Sequence, residues 1–534
     1  MAEAQAVNVA TLRNWLADGA EIAFLDLREE GPHADGHPLL AVNGPYSRLE
    51  LDVLRLVPRK STRTVLVDGN DGVAARAARR LAHLGYSDVS VLTGGVAAWS
   101  MAGYPLFPSN NVPSKGFAEI IEIDSHTPHL TAAELHEMQR AGTNLKILDS
   151  RTVEEFNRFH VPGAVTCPGG ELVYRFADMV PDPDTLVVVS CAGRTRSIIG
   201  AQSLINAGVP NKVVSLQGGT QGWRLAGLEL ERNTQQSVAP VTNAGVAASE
   251  PRAAAVAARY GVTTIDRTTL AGWQREAARR TTYLLDVRTP EEFAAGHLPG
   301  SVSAPGGQLV QAIDRWVGTR AARLVLADDH GTRAIMTAHW LKQMGWDVVV
   351  LERAFDGVEL EQGPSEPPMP SLPAAAIVTP AEAAALLTDG AAAVALGSSA
   401  AFRAGHPSGA VWSIRPLLPK LPSRVLGARR IVVFAEDVAV TKLALADLAE
   451  LSQAQTAIVD GGIPAWRAAG YSVVESPDAP ADEERIDFIF WNHNRHDTDE
   501  GARQAMRNYL QWELDLPGEI EKDGMSGFRI AGAS

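Results

Sequence analysis

One pattern, written four times, constrains this chain of 534 residues more than any other feature. An apolar strand ending in Asp-x-Arg occurs as FLDLR (Asp26, Arg28), ILDSR (Asp149, Arg151) and LLDVR (Asp286, Arg288). A worn fourth copy, VALGS, carries Leu396 and Ser398 in those places. His37, His160 and His297 each lie 11 residues beyond their aspartate, and His406 lies 10 beyond Leu396. A second strand ends in Gly-Gly and leads to Trp: Gly94-Gly95 with Trp99, Gly218-Gly219 with Trp223, and Gly461-Gly462 with Trp466. The third copy has Arg353-Ala354-Phe355 there instead. Repetition at this spacing predicts like domains of about 100–120 residues rather than one large core.

Within each unit, short β-branched strands alternate with helical patterns. In unit two these are LKILDS, LVVVS, a helix from about Ser197 to Ala207, KVVSL, and a helix through Trp223. Such alternation predicts an α/β fold, a mainly parallel sheet with helices on both faces. The predicted units are 1–115, 116–237, 259–362 and 374–478. The Ala-rich 238–258 and the Pro-rich 363–373 read as linkers, and 479–534 as a C-terminal aromatic and helical extension. In the extension one helix is predicted from Asp499 to Leu514, packing on the repeats or on a second copy of the chain, as in a homodimer. His493 and His496 are three apart but have no third ligand nearby, so no metal is expected. The tryptophans read as core anchors and the Gly-Gly pairs as tight exits from a strand.

Composition narrows the function classes. A hydrophobic content of 46% with 21% charged residues is ordinary globular material. A net charge of −14 argues against nucleic acid as a partner. Two cysteines exclude a disulfide scaffold and fit a reducing, cytoplasmic setting. The opening MAEAQAVNVATL lacks the basic and apolar regions of a signal peptide, and no apolar run is long enough to span a membrane.

The informative cysteine is Cys191. It stands 42 residues after Asp149, and the same offset from Asp26 and Asp286 reaches Asp68 and Asp328. In unit four the equivalent strand leads to Glu436. The position is therefore a thiol once and a carboxylate three times, which marks one chemical unit and three non-catalytic ones. The loop Cys191-Ala192-Gly193-Arg194-Thr195-Arg196 enters a helix near Ser197, so its N–H groups can converge on an anion. A thiol there, beside Arg194 and Arg196, is expected to have a lowered pKa. Cys167, in TCPGGEL, is replaced by Ala304 in unit three. It reads as a small turn residue or as a second thiol able to resolve a Cys191 adduct. Gly169-Gly170, repeated as Gly306-Gly307, read as shaping a loop near the pocket. The Asp-x-Arg pairs and the histidines recur without a cysteine beside them, so they read as structural.

The CAGRTRS loop, the Asp-x-Arg strand, the turn from Glu154-Glu155-Phe156 to Ala164 and the Gly-Gly-x-x-x-Trp ending resemble rhodanese-type sulfurtransferases over about residues 8–475. The resemblance implies four tandem rhodanese-like domains with thiosulfate as donor. Cys191 would take the outer sulfur as a persulfide and pass it to cyanide or a thiol, with no cofactor. Arg194 and Arg196 would bind the donor, helped by Ala192, Gly193, Thr195 and Ser197. Mercaptopyruvate or an organic persulfide is the alternative donor, and a non-turnover sulfur carrier or sensor the alternative role. A cysteine phosphatase fits less well, because its loop is one residue longer and has a histidine where Ser190 stands.

Overall fold

A computed structural model describes residues 5–365, 367–491 and 498–531. In unit two the sheet runs His129–Leu130, Val213–Leu216, Leu186–Ser190, Leu145–Asp149, Ala164–Thr166, all parallel. Numbered by the chain order of these strands, this is 1-5-4-2-3, and the other three units repeat the order. Unit four does so despite its worn motifs, with Ala392–Leu396 between Val411–Ser413 and Arg430–Ala435. The central strands are buried on both faces, which is why Val187, Val188 and Val189 form a continuous apolar run.

This order places Leu186–Ser190 beside Leu145–Asp149, with Ser190 opposite Asp149. The chain leaves these two strands toward opposite sides of the sheet. The crevice at their carboxyl ends is where open α/β sheets bind ligands.

The recurrent markers are structural in every unit. Asp26, Asp149 and Asp286 pair with Arg28, Arg151 and Arg288 at 2.6, 2.8 and 2.7 Å. His160, His297 and His406 stack on Phe156, Phe293 and Phe402 and bond through Nδ1 to the carbonyl four residues back. His37 does the same on His33. Trp99, Trp223 and Trp466 are buried core residues.

The connections between units differ from the sequence expectation. Residues 238–258, expected as a linker, mostly belong to the helix Asn243–Tyr260. Its alanines favour helix, and Ser249, Ala253 and Val256 are buried, where it packs on Leu172–Met179 of unit two and Thr332–Gln343 of unit three. The expected boundary at 115/116 falls inside another helix, Val112–Ser125. Gly170 and Gly307 meet backbone to backbone where units two and three touch, so these glycines serve that contact rather than the pocket alone. Units one and four are joined by buried Arg415, paired with Glu50 and Asp447. Unit three lends Thr319–Arg320 as an antiparallel edge to the sheet of unit one.

The C-terminal helix is Asp499–Asp523, longer than predicted. It runs on through Pro517 because Leu516 and Ile520 bury against Leu39, Leu40, Phe107 and Val112, outweighing the lost backbone hydrogen bond. His493 and His496 lie outside the described residues. No described helix is long and apolar enough to cross a membrane.

Candidate active site

Cys191 follows the strand Leu186–Ser190, and the helix Thr195–Asn206 begins four residues later. The Gly218-Gly219 turn supports the loop from beneath. Thr220 N–H donates to the Cys191 carbonyl at 2.9 Å and Gln221 N–H to the Ala192 carbonyl at 3.1 Å. Gly219 has φ +52°, and a side chain there would collide with the Cys191 carbonyl. Only glycine fits so close an approach.

Among the described residues, no acceptor takes the N–H groups of Ala192, Gly193, Arg194, Thr195 or Arg196. The sister loops behave differently. Asp68 accepts from the amides of Asn70 and Ala74, both at 2.9 Å. Asp328 accepts from Gly331 at 2.7 Å and Arg333 at 2.9 Å. Burial pushes the Asp328 carboxyl up to about 6 and raises that of Asp68. Each carboxylate fills its own amide cradle. Glu436 instead turns back onto Ser398.

The thiol of Cys191 lies 3.5 Å from Ser197 Oγ. Its residue is 2% exposed. The expected fall in its pKa is not found: burial pushes the thiol up, and Arg196 and the bonds from Ser197 pull it back only in part.

The two arginines have different surroundings. Arg196 is gripped by Glu155 through both oxygens, at 2.6 and 2.8 Å. Burial opposes the Glu155 charge, yet Arg196 holds that carboxyl at about 2. The guanidinium still acts electrostatically on Cys191. Arg194, expected to bind the donor, is instead buried against Glu119 at 2.8 Å and against Glu122, both from the helix Val112–Ser125. Its fork is already occupied by two carboxylates. Arg194 therefore fixes the loop to the inter-unit helix and is not free to clamp an anion.

Cys167 lies in the apolar core with Leu148, Leu172 and Val187 and is 0% exposed. Burial drives its pKa far up. It follows Ala164–Thr166, two strands from Leu186–Ser190, so its Cα stands about 9.5 Å from that of Cys191. A disulfide needs less than about 7 Å. The reading of Cys167 as a second reactive thiol is therefore corrected to a core residue.

Sequence reasoning missed the groups that lie over the loop. Tyr509 and Glu513 reach it from the C-terminal helix: a side chain at Gly193 would lie 3.3 Å from the Tyr509 ring and 3.1 Å from Glu513 Oε2. Lys115, buried, sits 5.3 Å from the Tyr509 and Trp512 ring centroids. These residues belong to no repeat, so comparison of the units could not single them out. No cluster of His, Cys, Asp and Glu suited to a metal occurs among the described residues.

Comparison with known proteins agrees with the fold. The rhodanese-like domain model matches residues 8–102, 131–226 and 270–361. Unit four lies outside that match while sharing the sheet order. A crystal structure of thiosulfate sulfurtransferase from Pseudomonas aeruginosa superposes with a TM-score of 0.92 at 43% identity, covering 99% of this chain and 100% of that one. The Mycobacterium tuberculosis protein named "Putative thiosulfate sulfurtransferase SseB" is 29% identical over 244 residues, 38% of this chain and 80% of its own. The HTH-type transcriptional regulator Rv0324 of the same organism is 33% identical over 102 residues, 19% of this chain, so this chain spans less than half, 44%, of that relative's length. Taken with the repeated sheet and the cysteine loop, these matches place the chain in the rhodanese-like family.

Proposed function

We propose that the chain is a rhodanese-type sulfurtransferase that moves sulfur through a persulfide on Cys191, with thiosulfate as donor and cyanide or a thiol as acceptor. The observation that carries this reading is the contrast between cradles. Asp68 and Asp328 each set their own carboxylate on amides of their loop, whereas among the described residues no acceptor takes the five amides around the sulfur nucleophile Cys191.

The Cys191 thiolate attacks the outer sulfur of thiosulfate. One S–S bond forms to Cys191 as the bond to the central sulfur breaks, and that pair of electrons leaves with sulfite. The charge of the reactants is conserved in persulfide anion plus sulfite, so no oxidant or metal is needed. The free amides and the charge of Arg196 stabilise both the bound oxyanion and the terminal persulfide sulfur. Acceptor attack on that sulfur restores Cys191. Ser197 holds the sulfur in place, and Arg194 and Glu119 hold the loop.

Steady-state turnover with thiosulfate and cyanide tests the reading. Double-reciprocal plots should be parallel, and Cys191→Ser should lower the rate by at least about 10³-fold. Intersecting plots, or an active Cys191→Ser protein, would refute it.

A further inference from the structure

The Cys191 cradle has no carboxylate of its own, yet a carboxylate from elsewhere stands beside it. Glu513 lies four turns along the helix Asp499–Asp523. It is 1% exposed. Its Oε1 accepts from Thr195 Oγ1 at 3.3 Å. Its Oε2 lies 3.1 Å from where a side chain at Gly193 would begin, and Tyr509, one turn earlier on the same helix, interacts with the carboxylate. Gly193 and Thr195 both contribute free amides to the cradle. Burial pushes the Glu513 carboxyl up to about 7, with nearby Lys115 acting against the rise. Lys115 donates to Ser109 Oγ at 2.8 Å and the Asn110 carbonyl at 2.9 Å. The helix is pinned by Leu516 and Ile520, so the carboxylate is held in place by the fold.

We propose that Glu513 is a specificity-determining residue of the Cys191 site, setting a charge penalty on the sulfur donor. This rests on the reading of Cys191 as the sulfur-accepting thiol. Above about pH 7, where Glu513 is ionised, an oxyanion that enters the cradle comes to lie against a buried carboxylate, where screening by water is weak. Thiosulfate brings two negative charges to that position; a thiosulfonate brings one. Glu513 therefore disfavours the dianion relative to the monoanion. Lys115 and Arg196 supply the opposing attraction that keeps the dianion a substrate. In units one and three the same principle is carried to its limit, because a carboxylate inside the cradle shuts out any anion.

The test compares persulfide formation on Cys191 by thiosulfate and by methanethiosulfonate, a monoanion that also delivers its outer sulfur. In Glu513→Gln, which keeps the side-chain shape, the ratio of kcat/KM for thiosulfate to that for methanethiosulfonate should rise about tenfold, carried by a lower KM for thiosulfate. Glu513→Ala should shift the ratio the same way, and Glu513→Asp should leave it within about twofold of the native value. A ratio unchanged or lowered in both Glu513→Gln and Glu513→Ala overturns the proposal. Failure of the wild-type protein to load sulfur from either donor would instead refute the sulfurtransferase reading on which it rests.

Discussion

In unit three the strand Arg323–Ala327 delivers Asp328 into its loop; in unit two the strand Leu186–Ser190 delivers Cys191 to the same place. Both loops turn into a helix, and both carry an arginine five residues on, Arg333 and Arg196. Each arginine pairs with the equivalent glutamate, Glu292 at 2.6 Å and Glu155 at 2.6 Å. The difference lies in what surrounds these shared parts. Arg333 is also paired with Glu171 and Asp329, and Asp328 takes the loop amides. The positive charge of Arg333 and part of the loop's donors in unit three are thus satisfied internally. Among the described residues of unit two the amides have no acceptor and Arg196 pairs with one carboxylate, Glu155, leaving a field that a sulfur anion can use. A fold that closes its own anion site becomes a structural module, and a single exchange of carboxylate for thiol at one position marks the divide.

The largest expected break in this comparison comes from the two arginines. Arg196→Ala should lower kcat/KM for thiosulfate about 10²-fold in a protein that still folds. Arg333→Ala should do the reverse. It removes one of the two guanidinium groups on buried Glu171, which keeps Arg175 at 2.7 Å, and should cost about 2 kcal/mol of stability, read by denaturant unfolding, while sulfur transfer survives in the folded protein. Equal loss of activity in both variants would contradict the division between a chemical and a structural unit.

A smaller effect should appear in the pH profile. The Cys191 pKa is raised by burial, and the thiolate is the reactive form, so persulfide formation should increase as pH rises and should still be climbing above about 8.5, the ordinary thiol value. Arg196→Ala removes a group that lowers this pKa, so its profile should move further to alkaline pH. A plateau already reached at neutral pH would show an ionised thiol and a more open site. The smallest effect belongs to Cys167→Ala. Transfer should stay within about twofold, with a stability loss of about 1 kcal/mol from the small cavity. A large loss of activity would restore Cys167 to the chemistry.

Much of this was legible in the sequence, because repetition supplies its own control. Strands ending at Asp26, Asp149 and Asp286 marked the repeated α/β units, and the offset of 42 residues isolated Cys191 from Asp68 and Asp328. The structural roles of the histidines followed from the same logic. What the repeats could not show lies outside them. Arg194 looked like a substrate clamp because its partners, Glu119 and Glu122, sit on an inter-unit helix some 70 residues earlier. The Ala-rich stretch read as a linker because composition says nothing of two neighbouring helices that would bury it. Tyr509 and Glu513 approach Gly193 from more than 300 residues away. Burial of Cys191 reversed the expected direction of its pKa, since a helix terminus and two cations suggest a lowered value only while the thiol stays solvated.

The most direct test of the central claim is the intact mass of the protein after treatment with thiosulfate and removal of excess reagent. The predicted result is a gain of one sulfur atom, located on Cys191 by peptide mapping, lost on adding cyanide and absent from Cys191→Ser. An unchanged mass in the wild-type protein, or a sulfur atom that maps to Cys167, would contradict it.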